Sequence, residues 1–203
     1  MTLSKNYNGK LNESSVYQAF DVHSLLNQNV RRRKPDAIKC AQYLSGEYEF
    51  VLVAKVVGYH SSISHAILDE CCREWIVDAH IQDLLCQYLN SVSRVYSGEE
   101  KDESMIRQGL PRGSLLAEFL IDLYLVSIDK VAKASNCGYI RHGADICLFT
   151  SSHFQLSRMV QRLYGVLEMI GLSIDQNRLC LGKTRPDFKF LGRDIVQSSL
   201  PII

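Results

Sequence analysis

The stretch Tyr139-Ile-Arg-His-Gly-Ala-Asp-Ile-Cys-Leu-Phe149 sets a single carboxylate, Asp145, at the bend between two short apolar runs. A carboxylate at such a corner is a natural ligand for a hard divalent cation. Metal-dependent phosphoryl chemistry, however, clamps its oxygens between two ions about 3.5–4 Å apart, and one acid does not hold two ions. Read alone, Asp145 is an exposed turn aspartate. The other candidates are basic. Arg31, Arg32, Arg33 and Lys34 stand in a row, and Gln-Gly-Leu-Pro-Arg-Gly-Ser places Arg112 between Pro111 and Gly113, just after Gly109. Such cations suit a phosphate backbone where the fold gathers them and are a solvated loop where it does not. His60, His142 and Cys147 form no metal-site pattern, and no Cys/His set has zinc-ligand spacing.

The elements that must position these groups follow from periodicity. Phe50 to Val57 is rich in β-branched residues and bounded by Gly58, which predicts a buried strand. Upstream, Pro35 fits a helix start with Ile38, Tyr43 and Leu44 on its apolar face. Ser64 is placed to cap a helix carrying Ile67, Leu68, Cys71, Cys72 and Trp75. Asp78 is placed to cap another carrying Ile81, Leu84, Leu85, Tyr88, Leu89 and Val92. These stripes read as core. Leu115, Leu116, Phe119, Leu120, Leu123, Tyr124 and Ile128 trace one long amphipathic helix, for which Gly109, Pro111 and Gly113 would serve as turn and start. The Asp145 hairpin follows, then a helix stopped by Gly171, then two short strands joined by a turn around Pro186. Strands and helices that do not alternate regularly predict an α+β architecture, not a doubly wound sheet.

Bulk properties narrow the classes. The chain has 203 residues, 46% of them hydrophobic, and a net charge of +1, so no whole-chain field draws it to nucleic acid or an anionic membrane. Seven cysteines, two of them adjacent, predict reduced thiols in an intracellular protein. The opening Met-Thr-Leu-Ser-Lys-Asn-Tyr has no apolar leader core, and no run reaches membrane-spanning length. Cytoplasm and organelle are equally compatible.

Five segments, in order, resemble one family. Gln108-Gly-Leu-Pro-Arg-Gly-Ser114 and the helix after it resemble the Gly-(Leu/Ile)-Pro-Gln-Gly-Ser motif and helix of reverse transcriptases of the group II intron and retron kind. The Tyr139–Phe149 hairpin resembles their Tyr-x-Arg-Tyr-Ala-Asp-Asp-Phe hairpin. Ile170-Gly-Leu-Ser-Ile-Asp-Gln-Asn-Arg-Leu-Cys-Leu181 and Phe188-Lys-Phe-Leu-Gly192 resemble the Gly-Leu-x-Leu-Asn-x-x-Lys-Thr and Phe-x-Phe-Leu-Gly segments that follow it. Val51 to Leu68 resembles the strand that ends in Asp-Ile-x-x-Phe-Phe-x-Ser-Ile-x-His. The resemblance implies a reverse-transcriptase-like fingers-palm fold, with a small antiparallel palm sheet packed by helices. It divides the chain into a fingers-like segment, 1–48, and a palm-like domain, 49–203.

The departures from that family shape the functional expectation. The family's strand Asp falls on Lys55, and Val51 to Leu68 contains no Asp or Glu at all. The hairpin's Asp-Asp falls on Ala144-Asp145, which leaves Asp145 as a vestige. The aromatic gate falls on His60, the motif Gln on Arg112, and the later Lys, a proton donor to pyrophosphate, on Arg178; arginine is the poorer proton donor. A lysine in a partly buried pocket needs a partner, and Asp145 across the strands is the expected one. The residues to Ile203, just past Phe-Leu-Gly-Arg-Asp-Ile, match a fingers-palm domain lacking the family's helical thumb, for which a partner is one source. The resulting expectation is a catalytically degenerate protein that binds RNA in a maturase-like way or serves as an assembly subunit of a ribonucleoprotein. Arg31–Lys34, His60, Gly109, Pro111, Arg112, Gly113 and Arg178 would line its nucleotide or RNA side. RNA, protein subunits or a second copy are the expected partners, with no membrane, metal or cofactor. An active RNA-directed DNA polymerase using Mg²⁺ and a partner's ligands is one alternative, and a purely structural scaffold is another.

Overall fold

The computed structural model describes residues 34–97 and 107–196. Its spine is strand β1, Phe50–Val57, in the position predicted. Strand β2 (Gly138–His142) and strand β3 (Asp145–Thr150) form the hairpin, and β3 pairs antiparallel with β1 from Phe50↔Thr150 to Lys55↔Asp145. On its other flank β1 pairs with β4 (Ser173–Ile174) near Val56 and with β5 (Cys180–Lys183) from Phe50 to Val53. The result is a five-stranded antiparallel sheet with β1 at its centre.

Both faces of that sheet are covered, which is why β1 reads as a continuous hydrophobic run with little alternation. On one face Leu52, Ala54, Val56, Ile146 and Leu148 join the main core. The helices over it are α3 (His65–Trp75), α4 (Ala79–Ser97), α5 (Leu115–Tyr124), α6 (Val126–Lys133) and α7 (His153–Met169). On the other face Val51, Val53, Cys147 and Phe149 meet Ala37 and Ala41 of helix α1 (Lys34–Glu47). Phe188, Phe190 and Ile195, from a small hairpin of β6 (Lys189–Phe190) and β7 (Arg193–Asp194), complete this second core. A one-turn helix, α2 (Tyr59–Ser62), follows β1. Trp75 and Tyr88 pack against the main core, as their helical spacing predicts.

Three local expectations are corrected. The long helix is two helices, interrupted at Leu125, and just before the break the Asp122 carbonyl accepts a bond from the Arg141 side chain at 3.4 Å. Ser64 stands at the start of α3, but its side chain makes no cap bond; its N–H donates instead to the Tyr124 hydroxyl at 3.3 Å. The strands flanking Pro186 do not pair with each other: β5 joins β1, and β6 pairs with β7. Asp78 does cap α4, accepting from the His80 and Ile81 N–H groups at 2.9 and 3.2 Å. Among the described residues, no helix is long and apolar enough to cross a membrane.

Candidate functional site

The β2–β3 connection has two residues, Gly143 and Ala144, and Gly143 has φ 57°. A glycine with positive φ at the first central position is what a type II′ hairpin turn uses. The turn is anchored to the spine, since the Val56 N–H donates to the Ala144 carbonyl at 2.9 Å. This register sets Lys55 directly opposite Asp145, residues 90 apart in sequence, and the Lys55 ammonium lies 3.4 Å from an Asp145 carboxylate oxygen. Their side chains are 31% and 28% exposed. Asp145 is therefore the half-buried, ion-paired first residue of β3 rather than an exposed turn residue. Ala144 is buried and apolar.

Around this corner stand the other candidates. The His60 ring lies against that of Tyr59, with centroids 4.7 Å apart, and its Nε2 is 3.5 Å from the Glu118 carboxylate on α5. Burial raises the Tyr59 hydroxyl's pKa, the nearby charges of Glu118 and Asp145 raise it further, and Arg112 opposes them; these groups thus share one neighbourhood. The loop of Gly109 to Gly113 is clamped onto α2: the Gly109 N–H donates to Ile63 O at 2.8 Å and the Leu110 N–H to His60 O at 2.6 Å. Gly109 has φ 89°, and a Cβ there would sit 3.1 Å from the His60 carbonyl oxygen, so the position suits only glycine. From below, the buried His65 donates Nε2–H to the Gly109 carbonyl at 2.7 Å and holds Ser93 Oγ 3.0 Å from Nδ1. Pro111 and the exposed Arg112 lead to Gly113, φ 80°, and Ser114 caps α5 through the Ala117 N–H. Arg178 closes a 3-10 turn (Gln176–Arg178), with its guanidinium 3.6 Å from Asp175. That turn is anchored at the corner, because the Asp175 N–H donates to Lys55 O at 2.9 Å. The structure thus gathers Lys55, His60, Gly109, Arg112, Ala144, Asp145 and the turn of Arg178 around one end of β1. Arg31, Arg32 and Arg33 lie outside the described residues, and Lys34 opens α1.

These side chains do not fit a pair of divalent cations. Hard cations require clustered oxygen ligands. Here one carboxylate is matched by an ammonium, the adjoining position is a methyl group, and a cation at Lys55 repels another cation. Among the described residues, no group of three or more His, Cys, Asp or Glu side chains is placed to hold a metal ion.

One charged cluster escaped the sequence reading. Arg141, on β2, is fully buried and donates Nε and Nη2 to the two Asp129 oxygens at 2.9 and 2.8 Å. Its Nη1 donates to Asp122 Oδ1 at 3.0 Å and to Gly143 O at 3.1 Å, and the Tyr139 hydroxyl donates to Asp129 at 2.7 Å. Burial disfavours the guanidinium charge, but the bonds and charge of Asp129, with help from Tyr139 and Asp122, outweigh it and raise the pKa. The available signal was Asp122 and Asp129, seven apart on an otherwise apolar helical face, opposite a strand with one arginine.

No protein-family model matches this chain, and no curated protein sequence does. Among solved structures, the chain is similar to telomerase from Candida albicans in complex with a TWJ fragment of telomeric RNA, at a TM-score of 0.59 and 13% identity. The match covers 85% of this chain and 34% of that one, so this chain spans about a third of the telomerase chain's length. Likeness at this identity establishes the fold: a palm-like α+β arrangement of a small antiparallel sheet and helices.

Proposed function

We propose that this chain is an RNA-binding protein on a reverse-transcriptase-like palm scaffold, catalytically degenerate and acting in a maturase-like role or as a ribonucleoprotein subunit. Charge distribution carries the reading. From Asp175 to Asp194 there are five cations (Arg178, Lys183, Arg185, Lys189 and Arg193) and three carboxylates (Asp175, Asp187 and Asp194), in a chain whose net charge is +1; Arg178 pairs with Asp175, Lys183 with Glu49 and Lys189 with Asp194. All five are exposed, and Arg185 and Arg193 pair with no carboxylate among the described residues. Cations along an edge strand and hairpin suit a phosphate backbone, whose neutralisation releases counterions and makes affinity fall with salt. The likeness to a telomerase chain solved with RNA supports the same ligand class. The Lys55–Asp145 pair supports the loss of phosphoryl transfer.

The test is a titration of labelled, structured RNA at several salt concentrations, beside a primer-extension reaction with Mg²⁺ and deoxynucleotides. Salt-sensitive binding without extension is expected. Arg185→Gln with Arg193→Gln should lower the slope of log K against log salt by about 1.4–1.8, the loss of two phosphate contacts. Unchanged binding by the double variant would remove the strip from the interface. No binding at low salt would leave a protein-assembly scaffold, and templated extension would establish the polymerase alternative.

A further inference from the structure

We infer that the outward face of α7 is a docking surface for an acidic amphipathic helix of a partner protein. The inference goes beyond RNA binding and does not rest on it. Helix α7 covers the main core, whereas the β6–β7 hairpin of the cationic strip packs into the second core, on the other face of the sheet.

Three observations carry it. The first is where the apolar side chains of α7 go. Leu156, Met159, Leu163, Val166 and Leu167 are buried in the main core, yet Phe154 and Met169 are 76% and 72% exposed. At about 100° per residue, Phe154, Arg158, Arg162, Gly165 and Met169 fall within one arc of about 80° on the opposite side of the helix. The stripe they form runs about 22 Å along the helix axis. The second observation is charge. From Thr150 to Leu167 the chain has no carboxylate, and Glu168 stands beside the C-terminal end of the stripe. Neither Arg158 nor Arg162 is paired with a carboxylate among the described residues; Arg162 Nη1 donates to Ser135 Oγ at 2.8 Å. The third is Gly165. A glycine inside a helix costs stability relative to alanine. No contact within the chain requires it here, because a Cβ would meet nothing within 4 Å.

Together these features select the occupant. Aromatic residues, methionine and arginine are enriched at protein interfaces and lysine is depleted there, and the stripe holds no lysine. An apolar anchor at each end with two arginines between them complements a helix that carries apolar residues at helical spacing and carboxylates beside them. The missing side chain at Gly165 lets the axis of such a helix approach closely. A nucleic-acid strand would use the two arginines and leave Met169 and the Gly165 notch without a contact.

The probe is a fluorescein-labelled synthetic helical peptide of about 18 residues, long enough to span the stripe, with leucines at i, i+3, i+4 and i+7 and glutamates flanking them. Fluorescence anisotropy with the full chain is expected to show saturable, salt-weakened binding, with a dissociation constant on the order of 10–100 μM. Arg158→Glu with Arg162→Glu should weaken binding about tenfold or more, and a peptide with lysine for each glutamate should then bind this variant. Phe154→Ser should also weaken it about tenfold. Gly165→Gln should melt at a higher temperature, since its side chain extends into open space, yet bind the peptide less tightly. Should the double charge reversal fail to fold, as read by circular dichroism, Phe154→Ser and Gly165→Gln carry the test. No saturable binding at about millimolar peptide would overturn the inference, as would binding that all three variants leave unchanged. A parallel titration uses labelled single-stranded RNA alone. RNA binding lost in the double charge reversal, with no peptide binding, would assign the face to RNA and overturn the docking reading. RNA is absent from the peptide titration, so failure here and failure of the RNA reading are told apart.

Discussion

Two charged clusters share the β2–β3 hairpin, and they differ in almost every physical respect. At Arg141 a guanidinium with no exposed surface directs its N–H groups to Asp129, Asp122 and two backbone carbonyls, and Asp129 takes a further bond from Tyr139. Four residues on, Asp145 makes one long contact to Lys55 while both keep access to water. The first cluster ties the hairpin to α5 and α6 and belongs to the framework. The second lies at the strand end where the family resemblance puts catalytic carboxylates, and it is held by the backbone around it rather than holding that backbone. A buried ion cluster resists change because each member leaves an uncompensated charge behind; a half-exposed pair is free to exchange its chemistry.

The comparison breaks first at Arg141. Arg141→Met leaves the Asp129 carboxylate buried without its main partner and should cost about 3–5 kcal/mol, read by urea unfolding. Adding Asp129→Asn should restore part of that loss, because the stranded charge is removed. A cost below about 1 kcal/mol would mean that water reaches the cluster and that the contrast with the corner is wrong.

Alkaline pH sharpens the contrast next. Burial pushes the Cys72 thiol up to about 12 and the Cys137 thiol to about 11, from an ordinary 9.0. Burial, then the Asp129 charge, also raises the Tyr139 hydroxyl well above its usual value. Each is protonated in the folded protein at a pH where the unfolded chain has begun to lose the proton. Stability is therefore full below about pH 9 and should fall as pH rises through 11 and 12, followed by the urea midpoint at each pH. A flat profile to pH 12 would contradict the burial of these groups.

The smallest effect is expected at Lys55. Lys55→Met keeps the aliphatic stem and should cost less than about 1 kcal/mol, with the difference from the unsubstituted protein shrinking as salt screens the pair. A loss comparable to that of Arg141→Met would make the corner pair part of the framework and remove its freedom to change.

Much of the fold was legible because the signals are local. Phe50–Val57 is bounded by its own composition, and Asp78 caps the next helix as its position predicts. The ordered motifs around Gly109, Pro111 and Asp145 carried the palm-like reading. Local signals failed where a distant group intervened. Nothing in Leu115 to Ile128 announces a break at Leu125, since the interruption coincides with an arginine side chain reaching in from β2. The segment around Pro186 reads as a hairpin, yet β5 finds its partner in β1, where Phe50 to Val53 offers an open edge.

By itself, then, the sequence determined where the central strand, the hairpin and most helices lie, which faces are apolar, and that positions 55 and 144 lack carboxylates. Those are properties of side chains and of periods of two or 3.6 residues, settled within one segment. Only the tertiary structure decided that Arg141 is interior and bonded at every side, and that Glu118 meets His60. It also decided that Lys55 and Asp145 meet across the sheet at 3.4 Å. Register and counter-ion are joint properties of two distant segments. They exist only once both faces of β1 have been buried and the strands have no remaining freedom to slide.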